Sequence, residues 1–344
     1  MGSSPSLGQH QAQCQVEPIK QAQIPIGCKC GNSKVKWRCE NCVTMLCDMC
    51  KDKDHAAIGH HIIDITAIQV KISDVKEYQT NLDFTEFLAV SYDNSLWIGE
   101  GIEGGFNPFK SHTALQNVKL VGDKVKVISS FNIEVCDIAV TPTNDILLAT
   151  GGGRLKQIKA GSNKVTESVY YSNIPDLRRV HVTKDGRVIV NVSKMVKVMD
   201  TDGKHLRWYS KDENNPLIFR HTITSITSTN NGYIFVAVYY DRQVVVFGKT
   251  DIFNIYRGHP NIKDGVTQFY PSSVATTPND NVIVADSFND TLHILDNTGH
   301  LLTTYKDIGI PIQEHLAITT EGLCTVLYMI SKSTSLFKMI ITGC

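Results

Sequence analysis

Six of the chain's ten cysteines fall between positions 28 and 50, and three histidines follow soon after. The pattern reads Cys28-x-Cys30, Cys39-x-x-Cys42, Cys47-x-x-Cys50, His55 and the pair His60-His61. A C-x-x-C knuckle turns the backbone tightly enough to bring two thiolates onto one ion. Zinc favours four such ligands in a tetrahedron, with Zn–S near ~2.3 Å and Zn–N near ~2.0 Å. Three cysteine pairs and two histidines are enough for two closed four-coordinate sites. Closed sites are structural, because a catalytic zinc keeps one position open for water. The competing reading has these cysteines packing as small apolar residues. The segment is too poor in large apolar side chains for that: it offers Val35, Trp37, Met45 and Leu46, and about forty residues do not fold on so little burial. Metal binding worth roughly 10–16 kcal/mol supplies what the core lacks.

Such a cluster reads as a metal site rather than as disulfides if the compartment is reducing. The other cysteines, Cys14, Cys136, Cys324 and Cys344, are scattered. Residues 1–23, rich in Gln, Ser and Pro, lack the basic start and apolar stretch of a secretory signal. They are expected to form a disordered arm of a cytoplasmic protein, which makes the sequons at Asn191 and Asn289 accidental. No apolar run approaches the ~20 residues of a membrane-spanning helix. Thirty-four basic side chains balance 34 acidic ones, so no global field draws the chain to nucleic acid or an anionic membrane.

The run C-K-C-G-N-S-K-V-K-W-R-C-E-N-C-V-T-M-L-C-D-M-C-K-D-K-D-H-A-A-I-G-H-H resembles the B-box zinc finger of tripartite-motif proteins, closest to invertebrate B-box proteins, over about residues 24–66. The resemblance implies a cross-brace of two structural Zn²⁺ ions. Cys28 and Cys30 would share one zinc with Cys47 and Cys50. Cys39 and Cys42 would share the other with His55 and His60, or with His61 in place of His60. His60 is preferred because the family's last histidine precedes one residue and then an apolar stretch such as Ile62-Ile63-Asp64-Ile65. The sequence departs from the family in its first pair, C-x-C where C-x-x-C or C-x-x-H is usual.

From about Phe84 the pattern changes to short runs of Val, Ile, Leu, Thr and Tyr between turn residues, with no long helical periodicity. A strand–turn–strand unit recurs from Phe87, Ile138, Val180, Ile226, Val274 and Leu316, about every 41–50 residues, with Asp-Gly or Asn-Asp at several turns. Six such copies predict four-stranded blades arranged radially. The expected fold is therefore mostly β: a small zinc-stabilised B-box (24–66), a linker (67–83) and a six-bladed β-propeller (84–344). The blades lack the Gly-His…Trp-Asp signature of WD repeats and are similar to the NHL-type propellers that follow B-boxes in tripartite-motif proteins. A pair of β-sandwiches is the alternative. The linker offers barely two heptads, with Val70, Ile72, Val75 and Leu82 as seam positions, too few for the family's coiled coil. No cysteine cluster precedes Cys28, so no RING domain is expected.

Other motifs lead nowhere. Gly99-Glu-Gly101-Ile-Glu-Gly104 matches a dinucleotide fingerprint but runs into Phe-Asn-Pro108 instead of a helix. Gly151-Gly-Gly153 is an anion nest or, more simply, a turn. Met1–Ser6 fits a loose myristoylation pattern without a polybasic partner. Lys34, Lys36 and Arg38 around Trp37 read as a solvated face beside a scarce core residue. His181, His221, His259 and His293 have no ligand spacing. No catalytic constellation is present, and the chain is expected to be an adaptor that binds other proteins through the B-box and the propeller loops. The alternatives are a non-catalytic part of a ubiquitin-ligase assembly, and RNA binding by the propeller.

Overall fold

The computed structural model describes residues 28, 30, 37–39, 44–55, 59–64, 71–83, 85–100, 114–210, 218–258, 268–306, 308–312, 315–321, 324–330 and 334–342. The arm 1–23, Cys42, Lys34, Lys36, His259 and Gly101–Gly104 lie outside them. The chain divides into two compact units, Met1–Ala67 and Ile68–Cys344. Among the described residues no helix is long and apolar enough to cross a membrane.

The larger unit is a six-bladed β-propeller of four-stranded antiparallel sheets. Blade one comprises Phe87–Val90, Leu96–Gly99, Ala114–Val121 and Lys124–Asn132; blade two Asp137–Val140, Ile146–Ala149, Arg154–Ile158 and Val165–Tyr171. Blade three follows with Leu177–Val182, Val188–Val192, Met195–Met199 and His205–Tyr209, and blade four with Ser225–Ser228, Ile234–Val238, Gln243–Phe247 and Ile252–Tyr256. Blade five is Pro271–Thr276, Val282–Asp286, Thr291–Leu295 and Leu301–Lys306. The six repeats seen in the sequence are the two innermost strands of each blade, and each innermost strand touches the next around a closed ring.

Those inner hairpins share one turn geometry in the five blades where it is described. The fourth residue of the turn donates its N–H to the carbonyl of the first, and the first donates to the carbonyl of the fifth, as in Asn144→Thr141 and Thr141→Asp145. The fourth residue has positive φ: Asn94, Asn144, Gly186, Gly232 and Asp280. Gly, Asn and Asp tolerate that conformation best, which explains the turn chemistry of the repeats. The strands that follow are almost continuously buried Val, Ile and Leu, because each blade is covered on both faces by its neighbours.

Blade six contains His315–Glu321, Cys324–Ile330 and Ser335–Thr342, and its fourth strand is Lys71–Gln79. This corrects the reading of 67–83 as a linker. Its heptads fall short because residues 71–79 form a strand, paired with Ser335–Thr342 through contacts such as Leu336↔Tyr78 and Ile341↔Ile72. Tyr78 is buried and Ile72 packs on the core, while Ser73, Lys76 and Glu77 are exposed. Charge on an outer strand discourages pairing with foreign edges. Its partner lies at the far end of the sequence, so no local pattern announced it.

Two other sequence features take their place here. Gly151–Gly153 forms a clasp with the 172–177 loop rather than a nest: Leu177 and Asp176 donate to Gly152 and Gly151, and Ser172 to Gly153. Asn191 is fully buried, its Oδ1 accepting the N–H groups of Arg178 and Arg179, which excludes glycosylation in the folded chain.

Tyr78→Ala removes a buried aromatic from the closing strand and is expected to cost about 3 kcal/mol. Calorimetry should show the midpoint lowered by roughly 6–12 °C, whereas Val75→Ala, at an exposed position of the same strand, leaves it nearly unchanged.

Candidate functional site

The smaller unit is built around its cysteines. Three short antiparallel strands, in the order Thr44–Leu46, Trp37–Cys39 and Ile62–Asp64, form its sheet. A helical turn at Asp48–Cys50 continues into a π turn at Lys51–His55. Among the described residues here Cys28, Cys39, Leu46, Cys47 and Cys50 are buried, with Trp37 packed against them. Trp37 is held from outside, its Nε1 donating to Asp48 at 2.5 Å while the Lys51 ammonium lies 4.0 Å from its ring centroid. It serves the small core, as the sequence suggested.

Two separate sets of ligand atoms converge. Cys28, Cys30, Cys47 and Cys50 place their sulfurs within 4.8 Å of one another, as do the ligand atoms of Cys39, His55 and His60. The helical turn puts Cys47 and Cys50 on one side, since residues three apart share a face. Cys30 Sγ lies 3.7 Å from Cys47 Sγ, close to the ~3.8 Å edge of a tetrahedron with ~2.3 Å Zn–S bonds. Cys39 Sγ lies 3.3 Å from His60 Nδ1, near the slightly shorter edge of a mixed S/N tetrahedron. The donor set therefore fits zinc in both number and spacing at the four-cysteine position. His61 is exposed and outside the second set; Cys42 lies outside the described residues.

Cys28 and Cys50 shift in opposite directions. Burial opposes ionisation of Cys28, but the backbone amides of Cys30 and Cys47 and the side chains of Cys50 and Cys30 outweigh it and lower the thiol to about 6. Cys50 is pushed up, first by its hydrogen bonds to Cys28 and Cys30. Thiols this close suit a cation that lets all of them ionise.

A second polar cluster, which no spacing in the sequence announces, lies where the innermost strands meet. Arg179, nearly buried at the start of blade three, donates from Nε to Thr224 O at 2.7 Å and from Nη1 to Cys136 O at 2.5 Å. Its guanidinium lies 5.3 Å from the Phe87 ring centroid, and Phe87 packs edge-on against His315 at 4.9 Å. One side chain thus ties the residues leading into blades two and four to blade one, beside blade six. Burial raises Asp137 to about 6 against the opposing pull of Arg179. Burial lowers His181, whose Nε2 is 2.8 Å from Ser228 Oγ, to about 4. His315 falls to about 3, by burial and then by the nearby Arg179. Between blades four and five, fully buried His293 stands between Tyr256 OH (2.6 Å) and Asp286 (3.4 Å). It is a strand residue, as expected, and a fully buried one. Only the ring brings these residues together, so sequence spacing could not reveal them.

Comparison with protein-family models gives no match, and comparison with curated proteins gives none. Solved structures do match. Selenomethionine-substituted virginiamycin B lyase from Staphylococcus aureus superposes with a TM-score of 0.52 at 11% identity, covering 80% of this chain and 100% of that one. A streptogramin B lyase gives 0.52 at 11% identity, covering 78% and 98%. A catalytically inactive variant of the Staphylococcus aureus enzyme, with quinupristin, gives 0.53 at 11% identity, covering 80% and 100%. At this identity the likeness establishes the propeller fold alone.

The axial groups set a pH dependence. In the unfolded chain the histidines charge below about 6.5, but in the ring they stay neutral until about 4 and about 3. Their contribution to stability is therefore lost as pH falls below about 6.5. Asp137 acts oppositely, its contribution fading as pH rises from about 4 towards about 6. Near pH 5, two protons against one leave a net uptake of about one on unfolding. The propeller's thermal midpoint should decline between pH 6.5 and 4.5, and His315→Gln should flatten that decline. A midpoint that rose towards acid would contradict the assignment.

Proposed function

We propose that this chain is a non-catalytic, zinc-binding adaptor of the cytoplasm, pairing a B-box-like finger with an NHL-like propeller that recognises protein partners. The carrying observation is the convergence of Cys28, Cys30, Cys47 and Cys50 within 4.8 Å. Four protein sulfurs would complete a tetrahedron and leave no position for an activated water, which makes the first site structural. Cys39, His55 and His60 would supply three ligands of a second zinc, with Cys42 as the fourth. The C-x-C spacing of the first pair is no obstacle, since Cys28 and Cys30 both reach the cluster. The interleaved grouping, with chain-distant pairs on a common centre, supports the B-box resemblance.

The propeller supports the recognition role in a different way. Its strands are rigidly packed, and its inter-strand loops can vary in sequence without disturbing them. Metal in the finger would fix a small surface in the same manner: it replaces an apolar core and frees the exposed side chains for contacts.

Elemental analysis of the purified chain should find two zinc ions, falling to about one in Cys50→Ser and, separately, in Cys39→Ser. A chelator should unfold the finger and leave the propeller's melting transition in place. A metal-free preparation with the finger still folded would overturn the zinc reading.

A further inference from the structure

On the outer half of blade four a cavity of about 420 Å³ opens between Gln243–Phe247, Ile252–Tyr256 and the stretch 218–221. Its floor is apolar, formed by Ile218, Val245, Ile252 and Ile255, which continue inward as the core between blades three and four. Its rim is cationic: Arg220, Arg242 and Arg257 all border it and all are exposed.

Among the described residues, none of these three guanidiniums forms an ion pair. The one acid among the rim's described residues, Asp241, is committed to its own loop. Its Oδ2 accepts the N–H of Arg220 at 2.8 Å and of His221 at 3.4 Å, and its Oδ1 lies 2.5 Å from His221 Nδ1. Arg242 is steadied by Tyr270, whose hydroxyl accepts its Nη2 at 2.9 Å and whose ring centroid is 5.0 Å away. Burial lowers Arg257, with Asp241 opposing the shift and the like charge of Arg220 adding to it. Arginines with no ion pair among the described residues, set at the mouth of an apolar pocket, suit an anion attached to an apolar body. The aromatic wall fits the same ligand: Tyr240 is 67% exposed and lies 5.7 Å from the His221 ring.

We propose that this cavity binds an acidic peptide segment of a partner protein. A bulky apolar side chain fills the isoleucine floor, and flanking Asp or Glu carboxylates meet the three guanidiniums. The volume suits one or two side chains. A nucleic-acid strand is the poorer fit, because the floor is aliphatic rather than a stacking platform and the charges cluster at one point instead of following a backbone. The proposal rests on the protein-recognition reading of the propeller and names the chemistry of its partner.

The test is fluorescence anisotropy on the full chain with a labelled peptide Glu-Glu-Leu-Phe-Glu-Glu. Affinity should fall at least roughly tenfold in Arg220→Ala/Arg257→Ala, as loss of two charge-assisted contacts implies. The Gln-for-Glu peptide and the Ala-for-Leu-Phe peptide should bind comparably weakly, and rising salt should weaken the parent peptide. Arg187→Ala, which removes a guanidinium bonded to Asp185 in a turn of blade three, should bind like the parent chain. Circular dichroism of the double variant checks that the propeller remains folded. Equal affinity in the double variant, no binding of the peptide, or tighter binding of an oligouridylate through the same arginines would each overturn the proposal. Because Cys50→Ser should bind the peptide unchanged, failure here leaves the zinc reading standing. Propeller variants that abolish capture of some other peptide would leave the wider recognition reading standing as well.

Discussion

Every blade of the ring depends on both neighbours for burial, so the pairing of Lys71–Gln79 with Ser335–Thr342 carries more than its own hydrogen bonds. An open array would leave two faces of apolar Val, Ile and Leu in water at its ends. Closure abolishes both. It is reinforced where the strands meet: Thr80 N–H donates to Thr334 O at 2.8 Å, Thr334 Oγ1 to Gln79 at 2.7 Å, and Ser335 Oγ to Glu77 at 2.6 Å. At the hub, the Arg179 guanidinium does with one group what the closing strand does at the rim. It reaches carbonyls that precede two other blades and an aromatic ring of a third.

The finger meets the same thermodynamic demand by other means. Among its described residues the core consists of cysteines, a leucine and a half-buried tryptophan, a small store of burial against the entropy of ordering the chain. Coordination bonds would supply the missing free energy, and four of the seven residues that could hold metal, Cys28, Cys39, Cys47 and Cys50, are also buried in that core.

Much of this was legible in the residues, for identifiable reasons. The six hairpins announced themselves because their turns need Asn, Asp or Gly at a positive-φ position and their strands are unbroken apolar runs. The cysteine and histidine spacing exposed the cluster that could hold metal, and the resemblance supplied the way the pairs interleave. What stayed hidden depends on the ring being closed. Lys71–Gln79 is patterned like an exposed edge, and its partner is distant in sequence. Arg179, Asp137 and His315 come from different blades and meet only on the axis. Arg220, Arg242 and Arg257 are spread over nearly forty positions and share a rim only because adjacent strands and a preceding loop bring them there.

The long reach of the closing strand also bears on how the protein is made. Ser335 lies 256 residues beyond Gln79. At ribosomal speeds of about 5–20 residues per second, the closing strand is synthesised roughly 13 to 50 s before its partner exists. Through that interval Tyr78 and Ile72 have no blade to enter, and the growing array presents a fresh unpaired flank with each hairpin added. The exposed Asp74, Lys76 and Glu77 are the charges this strand carries through that interval. Birth of this ring is a wait, and the nascent chain's need for shelter from chaperones is set by the distance between its first strand and its last.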